Sequence, residues 1–476
     1  MEAKNSRLSP FMIQCFVSSG VSLNMGGMGL VLGFVTGLLP QLREPDSIIQ
    51  IDDSSASWIA SIPGFAVIVG NFIVPMLMSR LGRRPANLCS LVVSAAGWLC
   101  IVLSNTVSVL YLARFLQGTG MGMITALGPV LVGEYTSPKN RGLFLMSISV
   151  TMSIAIFVIQ TLGSYFYWKT CALVCIGIVL FNMIIVIFSP ESPTFLADKE
   201  RYDECRKVFT YLRGDSENVE LENMIAARMA AKKEQTDENK TIRQKILAKS
   251  NYLKEAVKKK EFYKPIFIMF HVYAMAQWCG INVITSFTTD LFERVVGVDS
   301  GVNIPLMIII VGALRIFENL LGMVFIKTLK RRVMLFSTIG LNVVALLAIA
   351  AYTFSSQKDL VADSPVIGIV LIHILMFTIA TGAIPISYVL AGELFPREYK
   401  GLCGGISMLF FSMNLFANTK TVLFFLGSWD IYGTFCLYAG VVLYCLVVVG
   451  IFLPETKDRT LQDIEEEFRG KRTSSE

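Results

Sequence analysis

Charged residues are scarce in this chain. Asp, Glu, Lys and Arg make up 16% of its 476 residues, whereas hydrophobic residues make up 54% and the mean hydropathy is +0.59. Soluble globular domains carry about 25% charged residues, so this composition argues against a soluble fold. Apolar runs of about 20 residues, each long enough to cross a bilayer, recur along almost the whole sequence. The sequence therefore predicts a protein that lies in a lipid bilayer.

Several other classes lack their signatures here. The apolar runs show no strand-like alternation, which leaves α-helices as the spanning elements. The ten Cys are scattered without metal-ligand spacing, and we find no nucleotide-binding glycine loop and no nucleophile–base arrangement. The net charge of +6 comes from bases beside helix ends, so it does not indicate a nucleic-acid partner. We expect no enzyme activity, no cofactor and no metal, and the first apolar run is too long for a signal peptide.

The apolar runs predict twelve transmembrane helices in an all-α membrane protein. Six lie before a polar stretch of about 70 residues and six after it. The expected spans are 11–39, 57–79, 86–104, 108–133, 142–165, 169–189, 263–292, 302–327, 332–354, 364–393, 401–427 and 430–453. This pattern divides the chain into a first bundle (1–190), a linker (191–262), a second bundle (263–453) and a tail (454–476). Within the linker, 200–212 and 217–233 are predicted as short amphipathic helices, although a solvated charged linker is the alternative.

Loop charge predicts the orientation. One set of loops is basic, with Arg80, Arg83, Arg84, Lys139, Arg141, Lys327, Lys330, Arg331, Arg332 and Lys400; the other is acidic, with Glu44, Asp46, Asp52, Asp53, Asp299, Asp359, Asp363 and Asp430. We call these the basic end and the acidic end. By the positive-inside rule, the basic end, both termini and the linker are expected in the cytoplasm of a plasma-membrane protein. The sequon at Asn239 should then remain unglycosylated.

Two copies of one short motif lie 259 residues apart, at Gly133–Gly142 and Gly392–Gly401. Each reads Gly-Glu, six residues, a basic residue and Gly, and each separates two apolar runs. Two further pairs keep the same order. Leu81-Gly82-Arg83-Arg84 corresponds to Leu329-Lys330-Arg331-Arg332, and Pro190-Glu191-Ser192 corresponds to Pro454-Glu455-Thr456. These repeats predict two homologous six-helix halves, an arrangement in which transporters bind substrate near the midplane between the halves.

With these residues, the chain resembles the sugar porter family of the major facilitator superfamily, over nearly its whole length. Two further segments, Gly33–Thr36 and Ser57–Ile62, are most similar to the trehalose-facilitator branch of that family. The resemblance also rests on Arg114–Gly118, Gln277–Asn282 and the repeated motifs. It implies alternating access between two six-helix bundles. It also implies that a cytoplasmic latch holds the halves in the outward-facing state, and the expected latch residues are Arg83, Arg84, Glu134, Arg141, Arg331, Arg332, Glu393 and Lys400.

The predicted latch has a physical rationale. Glu134 and Glu393 end the fourth and tenth spans, where a carboxylate faces the negative end of a helix and needs bases nearby. The alternative is that these charges only set topology. The positive-inside rule explains the Arg and Lys residues, but it does not explain two Glu at equivalent repeat positions.

A sugar site needs amides, hydroxyls and an aromatic ring. Gln277 and Asn282 flank Gly280, where a helix can be locally broken, and the resemblance implies that both contact sugar. Tyr388 aligns with the family's aromatic residue in the tenth span. The alternatives are a helix–helix hydrogen bond for the amides and simple packing for the tyrosine. The predicted substrate-binding residues are Gln277, Asn282, Tyr388, Ser149, Gln160 and Arg315.

Several of these positions depart from the family. Ala276 stands where many members have a second Gln, Ser149 occupies the usual Gln position of the fifth span, and Arg315 replaces a typical amide. A charge inside a span indicates function by default. Arg315 has three alternatives: an internal pair with Glu318, an anionic substrate or a changed gate.

The sequence therefore predicts a facilitative sugar carrier, for a hexose or trehalose, that acts as a monomer. Proton-coupled members typically carry an Asp in the first span, whereas this chain has Asn24-Met25-Gly26-Gly27 there. Two alternatives stay open. One is a carrier for another small solute, including an anionic one. The other is a sugar sensor that does not transport, although such sensors often have a long tail and only about two dozen residues follow Pro454.

Overall fold

The computed structural model describes residues 9–214, 217–236, 255–296, 302–361, 364–396, 398–457, 459 and 461–469. The first bundle and the linker contain α1 (Pro10–Arg43), α2 (Asp53–Arg80), α3 (Arg83–Leu103), α4 (Val107–Tyr135), α5 (Pro138–Tyr165), α6 (Trp168–Phe188), α7 (Pro193–Asp198), α8 (Tyr202–Arg213) and α9 (Asn218–Thr236). The second bundle and the tail contain α10 (Lys260–Trp278), α11 (Ile281–Ser286), α12 (Thr288–Val296), α13 (Ile304–Thr328), α14 (Arg331–Gln357), α15 (Pro365–Thr378), α16 (Ile384–Glu393), α17 (Lys400–Ser428), α18 (Asp430–Phe452) and α19 (Leu461–Arg469).

Eleven helices in the described part of the chain are long and apolar enough to cross a membrane, with α15 and α16 counted as one. They correspond to eleven of the twelve predicted spans, and the two halves contribute six and five. The protein is therefore an all-α, multi-pass membrane protein, as predicted.

The seventh predicted span is the exception. The sequence predicted one helix over 263–292, but the structure has α10, α11 and α12. Gly280 separates the first two with a φ of +97°, a left-handed conformation that glycine adopts without strain. A second break lies at Phe287, between α11 and α12. The apolar run hides both breaks because hydropathy does not report backbone conformation.

The tenth span also changes along its length. A π-helical turn, Ile379–Ala383, joins α15 to α16. Such turns are rare, and they occur frequently at functional sites. This one packs against α13 and α14, so the irregular backbone is buried inside the second bundle.

Each half packs mainly on itself. In the first bundle, α2 packs on α4, α1 on α5, and α3 on α4 and α6. In the second, α14 packs on α18, and α10 on α17 and α18. The halves meet where α2 runs along α17 and where α5 runs along α13. Any site between the halves is therefore bordered by these four helices and by the broken seventh span.

The linker carries the short helices α7, α8 and α9. They bury a small apolar cluster of their own, centred on Leu196, Phe209 and Ile225. Arg213 ties this cluster to the first bundle, because its Nη2 donates to the carbonyl of Glu134 at 3.2 Å. The described part of the linker thus lies against the basic end, and the sequon at Asn239 lies outside the described residues.

Candidate functional site

The first copy of the repeated motif lies in a charged cluster at the basic end. Arg83 donates to Glu134 through Nε and Nη2, both at 3.1 Å, and both side chains are largely buried. Ser192 donates its hydroxyl to the same carboxylate. Glu191 accepts the backbone N–H groups of Arg83 and Arg84 at 2.9 and 3.2 Å. The start of α3, the end of α4 and the segment after α6 are therefore joined.

The second copy repeats this geometry. Arg331 donates to Glu393 through Nη2 at 2.8 Å, and Thr456 donates to the same carboxylate at 2.6 Å. Glu455 accepts the backbone N–H groups of Arg331 and Arg332 at 2.9 and 3.1 Å. Burial raises the pKa of the Glu455 carboxyl, but these and neighbouring N–H donors together hold it below its ordinary value.

The other predicted latch residues have different partners. Arg84 donates to the carbonyl of Ile187, and Arg332 to that of Gly450. Arg141 donates to the carbonyl of Gly133 at 2.9 Å, and its buried Nε lacks a partner. Lys400 is exposed, and no ion pair of Lys400 occurs in the described ranges.

Both clusters lie within one half each. In the described residues, no ion pair or hydrogen bond at the basic end connects the first bundle to the second. In this state the clusters brace each half internally, and their role as a latch between the halves stays a prediction.

The halves are joined instead at the acidic end. Arg43, at the end of α1, pairs with Asp290 of α12 through Nη1 and Oδ1 at 2.7 Å. Deeper in, Thr36 and Gln160 of the first bundle donate to the carbonyl of Thr285 at 2.9 and 3.0 Å. We call this group of five residues the acidic-end seal. Gln160, predicted to bind substrate, thus closes the path in this state.

The contact between α2 and α17 also holds the two bundles together. Ser57 donates to the carbonyl of Lys420 at 2.7 Å, and the Lys420 ammonium lies 3.9 Å from the ring centroid of Trp58. A Cβ atom at Gly64 would lie only 2.9 Å from the backbone nitrogen of Phe416. The two helices therefore approach closely only because residue 64 has no side chain.

A cavity of about 500 Å³ opens outside the seal at the acidic end. Its wall combines α1 and α5 of the first bundle with α12 and α13 of the second. The lining residues include Thr36, Glu44, Ser164, Thr289 and Glu293. This volume is within the range of ligand-sized pockets, and it gives access to the outer face of the seal.

The two amides of the broken seventh span contact each other. Asn282 donates to the side-chain oxygen of Gln277 at 3.1 Å and to that of Asn418, on α17, at 2.9 Å. Asn418 in turn lies beside the buried hydroxyl of Tyr438. Tyr388 of α16 is 41% exposed. The structure therefore brings Gln277 and Asn282 together and adds Asn418 to them, whereas no contact joins Tyr388 to these amides in the described residues.

Arg315 and Ser149 lie where α13 faces the other elements of the interface. Arg315 donates to the hydroxyl of Thr285 at 3.2 Å, and no ion pair with Glu318 forms in the described part of the chain. One turn along α13, Asn319 donates to Ser153 at 2.9 Å and accepts from Ser149 at 3.4 Å. Asn319 therefore supplies an amide in the eighth span, at the contact between the halves.

Arg114 is fully buried in the first bundle. Its Nε donates to the carbonyl of Ile59 and its Nη1 to that of Val31, both at 2.9 Å. Nη1 also reaches the side-chain oxygen of Gln117 at 2.8 Å, whereas Nη2 has no partner. The partners of this guanidinium are thus neutral oxygens, and α1 contains no Asp or Glu.

Sequence reasoning missed Arg43, Asp290, Thr285 and Asn319. Arg43 carried a signal, since it is a base that directly precedes the acidic loop residues Glu44 and Asp46. The other three gave none, because their roles depend on which helices face each other across the interface.

Comparisons with known proteins agree with this architecture. A sequence model of the family described as "Sugar (and other) transporter" matches residues 14–468. The chain is 26% identical to the facilitated trehalose transporter Tret1 of Apis mellifera ligustica, covering 100% of this chain and 92% of the relative. It is 25% identical to Tret1 of Drosophila yakuba, of whose length it spans 54%.

Among solved structures, the inward-open xylose transporter XylE of E. coli matches with a TM-score of 0.73 at 15% identity. That match covers 96% of this chain and 100% of the other. A partially occluded inward-open form of the same transporter matches with a TM-score of 0.72 at 14% identity, covering 94% of this chain and 100% of the other. The protein has the fold of these major facilitator transporters, and it belongs to the sugar (and other) transporter family.

Proposed function

We propose that this protein carries a neutral sugar, a hexose or trehalose, down its concentration gradient across the plasma membrane. It works as a monomer by alternating access, with both termini and the linker in the cytoplasm. The seal between Thr36, Gln160 and Thr285 then closes the extracellular side, and the structure corresponds to the inward-facing state.

The architecture, the buried amides and the relatives support this proposal. The repeated halves and the broken seventh span fit the general architecture of secondary transporters. Gln277, Asn282 and Asn418 gather amides in the interior of the second bundle, and polar groups at that depth are costly unless they serve a partner or a cavity. Relatives of full length are facilitated trehalose transporters by name.

The environment of Arg114 supports uniport rather than proton symport. A proton-coupled step needs a carboxyl group that alternates between the charged and neutral forms. Arg114 instead donates to the carbonyl of Val31, on a first helix without acids, and to that of Ile59 on α2. We therefore expect transport that follows the sugar gradient alone.

A carrier of an anionic solute is the second candidate, because Arg315 places a cation at the interface between the bundles. One experiment separates the two candidates. The purified protein is reconstituted in liposomes, and the uptake of labelled glucose, trehalose and organic anions is measured at several pH values. Equilibration of a neutral sugar without accumulation supports the proposal, whereas accumulation driven by a pH gradient overturns uniport.

A further inference from the structure

Arg315 and Glu318 are two ionisable side chains buried inside the second bundle with few hydrogen-bond partners. Both are more than nine-tenths buried, with 8% and 7% of their surface exposed. Arg315 uses one of its five N–H donors, toward the hydroxyl of Thr285, within the described part of the chain. The Oε2 atom of Glu318 is buried, and no described residue hydrogen-bonds to it.

The two side chains attract each other electrostatically but are not in direct contact. They lie one turn apart on α13, yet no ion pair joins them in the described residues. Isolated charges at membrane depth cost several kcal/mol, so such residues usually pair or face a cavity. Burial without pairing indicates that something other than the protein satisfies these groups during the transport cycle.

Their place on α13 is the contact between the halves. Thr285, which accepts from Arg315, offers its carbonyl to Gln160 of the opposite bundle. Asn319, one turn further along α13, donates to Ser153 of that bundle. A solute that occupies the space between the bundles therefore passes beside this pair.

From this arrangement we infer that Arg315 and Glu318 together recognise adjacent hydroxyl groups of a neutral sugar. One hydroxyl accepts from the guanidinium while its neighbour donates to the carboxylate. The inference rests on the proposed transport of a sugar. It identifies adjacent hydroxyl groups as the feature of the sugar that the site recognises, and it predicts that sugar acids are poor substrates.

The chemistry of the pair selects this ligand class. A hydroxyl is both donor and acceptor, so a polyol satisfies both charges without bringing a charge of its own. A sugar acid satisfies Arg315 but places its carboxylate beside that of Glu318. Hydrogen bonds to charged groups are about twice as strong as neutral ones. These bonds therefore compensate for the sugar contacts that amide side chains at positions 276 and 149 would make, where this chain has Ala276 and Ser149.

The test uses the full chain in liposomes, with glucose, trehalose, glucuronate and an α-amino acid as probes. Uptake and binding are measured for the parent, Arg315→Gln, Glu318→Gln and the control Lys327→Gln. The control removes a positive charge at the exposed basic end of α13. Arg315→Gln should weaken binding of the neutral sugar at least tenfold. Glu318→Gln should raise the ratio of glucuronate to glucose uptake at least tenfold, and the control should match the parent.

The outcomes are distinguishable. Neutral sugar uptake with selectivity unchanged within twofold in both variants overturns this inference and leaves the proposed function intact. Parent protein that prefers glucuronate or the amino acid also overturns it. Parent protein that neither binds nor carries any sugar overturns the proposed function as well. If size-exclusion chromatography shows that Arg315→Gln is unstable, the selectivity of Glu318→Gln and of the parent still tests the inference.

Discussion

Arg43 and Asp290 form an ion pair of 2.7 Å that joins the two bundles at the acidic end. The pairs within the repeated motifs, Arg83–Glu134 and Arg331–Glu393, each stay inside one half. The structure therefore assigns different tasks to similar charge pairs. In this state those at the basic end each connect helices of one bundle, whereas the one at the acidic end connects the two bundles.

Neutralising this cross-bundle pair should favour opening at the acidic end. The side chains of Arg43 and Asp290 are 30% and 17% exposed, so the pair is worth about 1 kcal/mol, roughly a fivefold change in the population of the two states. Asp290→Asn should increase the labelling rate of a cysteine placed at Thr289, inside the acidic-end cavity, about fivefold with a membrane-impermeant thiol reagent.

Asp53 supplies the matched control for that variant. It lies 3.4 Å from Arg43 but belongs to the same bundle, and its side chain is 86% exposed. Asp53→Asn should leave the labelling rate unchanged. The charge swap Arg43→Asp with Asp290→Arg should restore the parent rate. Equal effects of Asp53→Asn and Asp290→Asn would show that the pair does not hold the halves together.

A side chain at residue 64 should also favour opening at the acidic end, and more strongly than Asp290→Asn. A Cβ atom there would lie 2.9 Å from the backbone nitrogen and 3.0 Å from the Cα of Phe416, and neither backbone atom can move without shifting α17. Gly64→Val should therefore disfavour the state sealed at the acidic end and slow transport at least tenfold. Gly177→Val is the control, because nothing lies within 4 Å of a Cβ atom at that position.

Much of the fold follows from the sequence. Eleven spans appear as apolar runs because each must satisfy its backbone within the bilayer. The motif repeats also place base and acid at adjoining helix ends, but the pairing of Arg83 with Glu134 and of Arg331 with Glu393 inside one half appears only in the structure. The breaks at Gly280 and Phe287 do not follow. Their run stays apolar, while the interruption depends on φ angles that hydropathy cannot report.

The site was only partly predictable for a related reason. Gln277 and Asn282 are close in sequence, so their contact follows from local geometry. Asn418, Arg43 and Asp290 act through partners more than 130 residues away. Their pairing depends on how the helices face each other in one conformational state. A single sequence without related sequences contains no signal for such distant pairs.

Removing the carboxylate of either repeated motif should shift the protein toward the state open at the basic end. Glu134→Gln removes the nearer charged partner of Arg83, leaving Asp198 at 3.7 Å, and weakens the bond from Ser192. Glu393→Gln removes the charged partner of Arg331 and weakens the bond from Thr456. We expect the empty carrier to return several-fold more slowly. Because exchange does not need this step, the ratio of the exchange rate to the net uptake rate should be higher than in the parent.

Glu204→Gln is the control for these variants. It also breaks an Arg–Glu pair, with Arg201, but both side chains are more than half exposed in the linker. Such a pair contributes little. Unchanged exchange-to-net ratios in both motif variants would assign the clusters to topology alone.

Truncating Asn282 should separate substrate binding from packing. Its Nδ2 donates to Gln277 on α10 and to Asn418 on α17, and its removal takes this donor away from the side-chain oxygen of Asn418. If the amides hold sugar, Asn282→Ala raises KM for the transported sugar at least tenfold while the melting temperature falls by only a few degrees. Leaving one buried polar group unsatisfied costs about 1–3 kcal/mol. Asn342→Ala is the comparison, because among the described residues Asn342 donates to Cys279 and Thr378, both within the second bundle. It should lower the melting temperature by a similar amount without a change in KM. If Asn282→Ala loses the same stability but keeps its KM, the amide cluster serves only as a helix–helix contact. Arg315, Glu318 and Asn319 would then be the polar groups that recognise the substrate.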